Sequence, residues 1–452
     1  MSITPSNHKG TRDFLPEELS KRNYIIDLIK KKFISFGFSE IKTPSIEKNK
    51  TLSGKYGDDG DKLIFKILNS GVKIKKADLD AHKKNDLKQF VESISEKGLR
   101  YDLTVPLARF ISQHQNKITL PFKRFQIQNV WRADRPQFGR FQEFTQCDAD
   151  ILGKSSIIQE IELLQLYDST FSELGFDNLV FKINHRSVLY SIANYLGIKE
   201  NYNLFFSIID KIEKNYKEKT ITQLKNNFQN ILFSEFVNLF EKKDLKVEQL
   251  KTITEANNQE SGFDEIITIL NFFKHNNLKN RIEFDLKLAR GLNYYTGLIV
   301  EVVSESSDIG SLGGGGRYDD LTSQFNLKNV SGIGISFGLD RIYLEMDRNS
   351  MFPDEVLKSA DLLVVNFGLE FLTKLYPTIQ SLRDEGTKVD IYPNDTKLNK
   401  QLSYANKLKI HYVIIFGENE FNNDKIIVKD MFSNSQKEYK FDDFSSKLFN
   451  TK

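Results

Sequence analysis

The sequence predicts an α+β chain: a mostly antiparallel sheet with one polar face, broken by a helical insertion and followed by a small α/β domain. Three observations carry this expectation. Polar and apolar residues alternate over 99–105, 124–132 and 140–150, the period-two signature of strands. Between 184 and 280 the composition shifts to Lys, Asn and Phe, with helical spacing interrupted by polar turns such as EANNQESG. After Asp354, the apolar runs DLLVVNFG, TKVDIYP, HYVIIFG and KIIVKDM are separated by helical segments. The expected domains are therefore a sheet-bearing domain in two parts, 1–183 and 281–350, the insertion 184–280, and the α/β domain 355–452.

Taken in order, Ile25, Leu28, Ile29, Phe33 and Phe36 recur at helical spacing and stop at Gly37, a residue suited to a left-handed C-cap. Residues 39–47 read as one strand whose Pro44 favours an edge or an interface. The charge-rich stretch 72–98 reads as an exposed elaboration with weak helical patterning. A second helix starts at Ser156, with Ile157, Ile161, Leu164 and Phe171 on one face and Gly175 at its end. Strand signals return from Arg281 to Val303, and again into Phe337.

With 452 residues the chain has room for several domains. No apolar run approaches the roughly 18 residues of a spanning helix and no hydrophobic leader follows Met1, so a soluble, cytoplasmic protein without a membrane partner is expected. A single cysteine, Cys147, excludes an internal disulfide and reads as a packing residue. Six histidines without an HxxxH pair give no metal site from the protein alone. A net charge of +3 does not by itself indicate nucleic acid.

The cations are more informative. Of 64 basic residues only 15 are arginine, yet Arg100, Arg109, Arg124, Arg132, Arg135 and Arg140 fall within one short stretch. Arg290, Arg317 and Arg341 lie beside glycine-rich segments, a placement that points to anions. Parity puts Arg100, Asp102 and Thr104 on one face. Arg124, Gln126, Gln128 and Arg132 share a second such face, and Arg140, Gln142, Gln146, Asp148 and Asp150 a third. A turn at 134–139 would fold the last two segments into an antiparallel hairpin. A merely solvated face in a lysine-rich chain would carry lysine; these positions carry none, as expected of a face that grips a polar ligand.

Ile282, Phe284, Leu286 and Leu288 share a face, and Arg290 joins them if the strand continues; its partner is either a ligand anion or a carboxylate of the chain. The run 311–319 (SLGGGGRYD) lets backbone approach a ligand closely, although alone it reads as a flexible turn. GIGISFGLDR (332–341) reads as a strand of small residues leading into a helix whose first turn holds Arg341, well placed for phosphate. GKS at 153–155 is not a P-loop, because the first glycine it needs falls on Asp148.

These strings resemble the histidyl-tRNA synthetase family of class II aminoacyl-tRNA synthetases over nearly the whole length. GTRDFLP (10–16) is similar to the family's opening, and Pro44 sits where the dimer strand of motif 1 carries its proline. FKRFQIQNVWRADRPQ (122–137) resembles motif 2, and GLDR (338–341) resembles motif 3. ARGLNYYTG (289–297) and GGGRYD (314–319) resemble the two signatures peculiar to the histidine enzymes.

The resemblance implies a class II catalytic domain, a C-terminal anticodon-binding domain and a homodimer that charges histidine tRNA, with histidine, ATP and Mg2+ as reactants. It assigns Asp102, Thr104 and Gln146 to the substrate amino group, and Asp150 and Tyr295 to the imidazole, with Tyr294 and Tyr318 lining that end. Arg132 and Arg290 would act in catalysis at the α-phosphate and carboxylate. Asp134, Arg140 and Arg341 would serve ATP, and Arg135 and Gln137 the tRNA acceptor end. Departures from the frequent pattern are Asn293 for Asp, which removes a charge beside Arg290, and Asp134 and Asp150 for Glu. Two rivals stand beside this reading. One is a non-catalytic paralogue such as the regulatory subunit of ATP phosphoribosyltransferase, against which both signatures count. The other is a prolyl or threonyl enzyme, whose pocket would not need groups for both imidazole nitrogens.

Overall fold

The computed structural model describes residues 4–53, 62–137, 139–212, 217–241, 246–255, 262–289 and 295–444. By its contacts the chain forms two units, 1–13 with 25–351, and 14–24 with 352–452.

Among the described residues, eleven strands belong to the first unit: β1 (Ser39–Glu40), β2 (Ile46–Lys48), β3 (Lys66–Ile67), β4 (Lys97–Leu99), β5 (Phe122–Trp131), β6 (Glu143–Gly153), β7 (Leu179–His185), β8 (Arg281–Phe284), β9 (Leu298–Ser304), β10 (Gly313–Tyr318) and β11 (Ser331–Phe337). Eight of them make one sheet in the order β1-β5-β6-β11-β10-β9-β7-β8. Only its two end pairs are parallel. The antiparallel centre follows from β5 and β6, which pair from Phe122 against Leu152 to Trp131 against Glu143. Because paired residues share a face, Arg124 meets Asp150, Gln126 meets Asp148 and Gln128 meets Gln146, as the parity of the sequence requires.

The back of this sheet is sealed by aromatics. Phe33 packs on Phe125 and Phe337 at 5.2 and 5.8 Å, and Phe171 of the helix Ile157–Glu173 packs on Phe337 at 5.3 Å. All four rings are fully buried, and each contributes roughly 1.5–3 kcal/mol of transfer free energy. Cys147 is buried in the same layer, a packing role. With one face closed by hydrocarbon, the other is left for polar side chains.

Four sequence expectations change here. Residues 39–47 are two short strands, β1 pairing β5 and β2 pairing β4; Pro44 has no N–H to give a ladder, and the chain changes sheets around it. The strand expected over 99–105 ends at Leu99, and a helix begins at Thr104. There Tyr101, Leu103 and Val105 are all buried, so tertiary burial and not strand pairing sets the alternation. After Phe284 the strand stops in a turn held by Asp285, whose Oδ1 accepts from Lys287 N at 2.9 Å, so the apolar stripe does not run on towards Arg290. The glycine run is the central strand β10 and not a turn. A Cβ at Gly315 would stand 2.1 Å from the carbonyl oxygen of Gly334, so the strand tolerates no side chain there.

Arg317 does meet an anion, but one of its own chain. Its Nη2 donates to Glu160 Oε2 at 2.7 Å with both side chains buried, tying β10 to the helix behind it.

Among the described residues, six helices, Arg186–Tyr195 through Phe263–His275, lie between β7 and β8. Phenylalanines 205, 206, 236, 240, 263 and 273 are buried among them. The stretch 72–98 contains two helices, Leu79–Lys83 and Leu87–Ile94, and is largely exposed.

In the second unit β12 (Leu362–Val364), β13 (Val389–Ile391), β14 (Tyr412–Ile415), β15 (Lys425–Asp430) and β16 (Gln436–Lys440) form a sheet in the order β13-β12-β14-β15-β16. Alternation along β12 feeds both faces. Leu362 and Val364 pack with Leu375, Ile379 and Leu382 of the helix Leu369–Asp384, while Leu363 packs with Ala405 of the helix Leu398–Lys407. Among the described residues, no helix is long and apolar enough to cross a membrane.

Candidate active site

The polar face of the large sheet floors a cleft of about 580 Å³. Asp102, Thr104, Arg132, Arg140, Gln146, Asp150, Tyr295, Tyr318 and Arg341 all line it. One cross-strand row organises its floor: Arg124, Asp150, Gly334, Gly316 and Ile299 are successive register partners. The two glycines in the row leave room for neighbours. A Cβ on Gly334 would fall 2.0 Å from Asp150 Oδ1, and one on Gly316 would fall 2.8 Å from the Tyr295 ring.

Asp150 is held from two sides. Arg124 Nη2 lies 2.6 Å from its Oδ2, and the Tyr318 hydroxyl donates to its Oδ1. Burial pushes the Asp150 carboxyl above its ordinary range, opposed by Arg124 and by the Tyr318 hydrogen bond. Tyr318 is itself raised well above an ordinary phenol, first by burial and then by the Asp150 charge.

Asp102 precedes the helix Thr104–His114 and spends one oxygen on its first turn, Oδ1 accepting from Val105 N at 3.1 Å. Among the described residues its Oδ2 is buried with no hydrogen-bond partner, and so is Gln146 Oε1. Burial raises the Asp102 carboxyl to about 6, against the opposing Val105 N–H and Arg132. Two orphan acceptors in one cleft are a cost of folding unless a donor arrives with a ligand.

Arg132 leaves the end of β5 with its Nε on the carbonyl of Tyr101 at 3.0 Å and its guanidinium 5.0 Å from the centre of the Phe144 ring. Held this way, its terminal nitrogens have no hydrogen-bond partner among the described residues. Arg341, in the first turn of the helix Leu339–Arg348, donates through Nη1 to the carbonyl and hydroxyl of Ser311, at 2.9 and 3.1 Å. Arg140 is half-exposed and paired with Asp134. That pair closes the β5–β6 hairpin with Gln137 and Arg140, whose backbones exchange bonds of 3.0 and 2.9 Å.

Asp134, Arg135 and Gln137 therefore stand on the hairpin tip and not in the cleft lining; Arg135 and Gln137 are exposed. Arg290, Asn293 and Tyr294 lie outside the described residues. Sequence reasoning placed Arg124 and Asp148 on the polar face without giving either a role. It passed over Lys182, which lines the cleft and pairs with Asp285 at 2.9 Å. A lone lysine inside the apolar run LVFKIN was the signal available.

The family described as Histidyl-tRNA synthetase matches residues 76–342, and the family described as Anticodon binding domain matches 361–451. A histidine–tRNA ligase of Christiangramia forsetii is 47% identical, covering 99% of this chain and 100% of that protein. One of Flavobacterium johnsoniae is 42% identical over 99% and 100%. The crystal structure of histidyl-tRNA synthetase from Nostoc superposes with a TM-score of 0.79 at 28% identity, covering 98% of each chain. An ATP phosphoribosyltransferase regulatory subunit/histidyl-tRNA synthetase from Bacillus halodurans shares the fold, with a TM-score of 0.70 at 20% identity over 89% of this chain and 97% of that one.

The mostly antiparallel sheet with its polar cleft, together with the matched anticodon-binding domain, is the architecture of a class II aminoacyl-tRNA synthetase. At this identity and coverage the chain belongs to the histidyl-tRNA synthetase family.

Proposed function

We propose that the chain joins histidine to its tRNA in two steps. In the first, a carboxylate oxygen of histidine attacks the α-phosphorus of ATP, the bond to pyrophosphate breaks, and histidyl-adenylate forms. In the second, a terminal ribose hydroxyl of the tRNA attacks the activated carbonyl and AMP leaves. Two anions must meet in the first step, so fixed positive charge and positioning supply most of the acceleration.

The observation that carries the reading is the pair of orphan acceptors, Asp102 Oδ2 and Gln146 Oε1, in the same cleft as the braced Asp150. The first two, with Thr104, suit an α-ammonium; Asp150 and Tyr295, with Tyr318 beside them, suit the two imidazole nitrogens, and we assign Tyr294 to the same end on the family resemblance alone. We assign Arg132 and Arg290 to the α-phosphate and the attacking carboxylate, and Arg140, Asp134 and Arg341 to the rest of ATP. Mg2+ enters with the nucleotide as its triphosphate complex. Arg135 and Gln137, exposed on the hairpin tip, are assigned to the tRNA acceptor end, and the α/β domain 355–452 to the anticodon. We further assign 1–183 and 281–350 to the catalytic domain and 184–280 to a helical insertion, and propose that the protein works as a cytoplasmic homodimer.

The regulatory-paralogue reading gives no reason for buried acceptors that await a cationic donor. Charging of histidine tRNA with labelled histidine and MgATP is the test: histidine released from the tRNA only by ester cleavage is expected, and no charging by a folded sample would overturn the proposal.

A further inference from the structure

Asp148 is a buried carboxylate of the cleft that the assignments above leave without work. It is 3% exposed and lies on the cleft face of β6, two residues from Gln146 and two from Asp150. Its register partners are Gln126 on β5 and Ser336 on β11. Ser336 lies close enough on β11 to lower its carboxyl somewhat, and Gln146 Nε2 stands 3.5 Å from its Oδ1, a long contact.

The charged and titratable groups around it come from four elements. Arg124 faces it from β5, Asp150 from its own strand, Asp102 from the turn before the helix Thr104–His114, and Tyr167 from the helix behind the sheet. The only cation in this set, Arg124, already lies 2.6 Å from Asp150. Among the described residues Asp148 is thus a buried acid with no cation of its own, and burial raises its carboxyl to about 7, with Arg124 opposing and Asp150 adding to the rise.

A second observation indicates what completes the site. Asp102 Oδ2 and Gln146 Oε1 line the same cleft, buried and without donors among the described residues. Acceptors grouped this way around one space fit a compact cation carrying several N–H groups.

We propose that Asp148 is a specificity-determining residue of the amino-acid site, its carboxylate joining Asp102 in the field that admits the α-ammonium of histidine and releasing its proton to solvent as that cation enters. The inference rests on the histidine-activating reading. The bond broken is the carboxyl O–H, the proton passes to the buffer, and an ammonium–carboxylate attraction replaces it. Below the carboxyl's own titration, binding must expel a proton; above it, the site is already ionised. Affinity for histidine therefore rises with pH through that range by up to one power of ten per pH unit.

The experiment measures KM for histidine and for ATP in histidine-dependent exchange of pyrophosphate into ATP, from pH 6 to pH 8, for the native chain and Asp148→Asn. Asparagine keeps the shape of the protonated acid but has no proton to lose. The titration of free histidine affects both proteins equally and cancels in their ratio. The two KM curves for histidine are expected to meet near pH 6 and to differ about tenfold at pH 8, with KM for ATP unchanged. A ratio that stays constant with pH, or equal losses for histidine and ATP, would overturn the proposal.

Should the variant not fold, calorimetry of histidine binding to the native chain at pH 7, in buffers of different ionisation enthalpy, carries the test. Proton release of about half an equivalent is expected, and none would overturn the proposal. Failure of the native chain to exchange with histidine at any pH would instead overturn the activating reading itself.

Discussion

Asp150 and Arg124 form an ion pair sealed from solvent, with Oδ2 and Nη2 2.6 Å apart and side chains 3% and 0% exposed. Such a pair is costly to bury and costlier to break, because the survivor is left as an uncompensated charge. Arg124→Met is therefore expected to lower unfolding free energy by about 3–5 kcal/mol, read from urea denaturation. Arg124→Met combined with Asp150→Asn is expected to recover much of that loss. A single-variant loss below about 1 kcal/mol would show that Asp150 does not depend on the guanidinium.

Gly334 faces Asp150 across β6 and β11, where a Cβ would sit 2.0 Å from Oδ1. Gly334→Ala must push that carboxylate aside. It is expected to raise KM for histidine by about tenfold or more, the scale of a hydrogen bond lost from a polar pocket, while KM for ATP moves little. Asp150→Ala is expected to repeat the pattern more strongly. Equal losses for both substrates would remove Asp150 from the imidazole site.

Behind the sheet, Arg317 donates to Glu160 through Nε and Nη2, to Gln159 Oε1 at 3.0 Å and to Ser331 Oγ at 2.6 Å. This is a structural anchor, and Glu160→Gln would strand a buried guanidinium. A loss of about 3–5 kcal/mol is expected, with histidine and ATP KM values unchanged in the fraction that folds. Selective loss of histidine use would mean that the anchor reaches the cleft.

Buried acids also give the free protein a pH signature. The folded-state values of Asp102 and Asp148, about 6 and about 7, lie above the ordinary 3.8. The folded state thus favours the protonated acids, so their penalty is absent below pH 4 and grows as pH rises towards 7. Asp148→Asn removes one share of it. The variant is expected to melt higher than the native chain at pH 8, by the equivalent of a few kcal/mol, and to match it at pH 4. A variant that melts lower at pH 8 would mean that the carboxylate already has a stabilising partner within the protein.

Much of this site was legible in the sequence because β5 and β6 are regular. Arg124, Gln126 and Gln128 on one strand and Gln146, Asp148 and Asp150 on the other kept their parity, and a hairpin turned that parity into pairs. Parity misled at 99–105, where Asp102 starts a helix and the alternating Tyr101, Leu103 and Val105 are all simply buried. It also hid the strand in the glycine run, since period-two patterning needs side chains and Gly313–Tyr318 begins with four glycines. Partners distant in the chain could not be read at all. Arg317 finds Glu160 and Tyr318 finds Asp150 only through the sheet order, which no local pattern states.

The most direct test of the account is exchange of labelled pyrophosphate into ATP by the purified chain with magnesium and no tRNA, run separately with each of the twenty amino acids. Exchange with histidine alone is the expected result, since only its side chain offers the two ring nitrogens that we assign to the Asp150 end of the cleft. Exchange driven by a different amino acid, or by none from a folded sample, would contradict it.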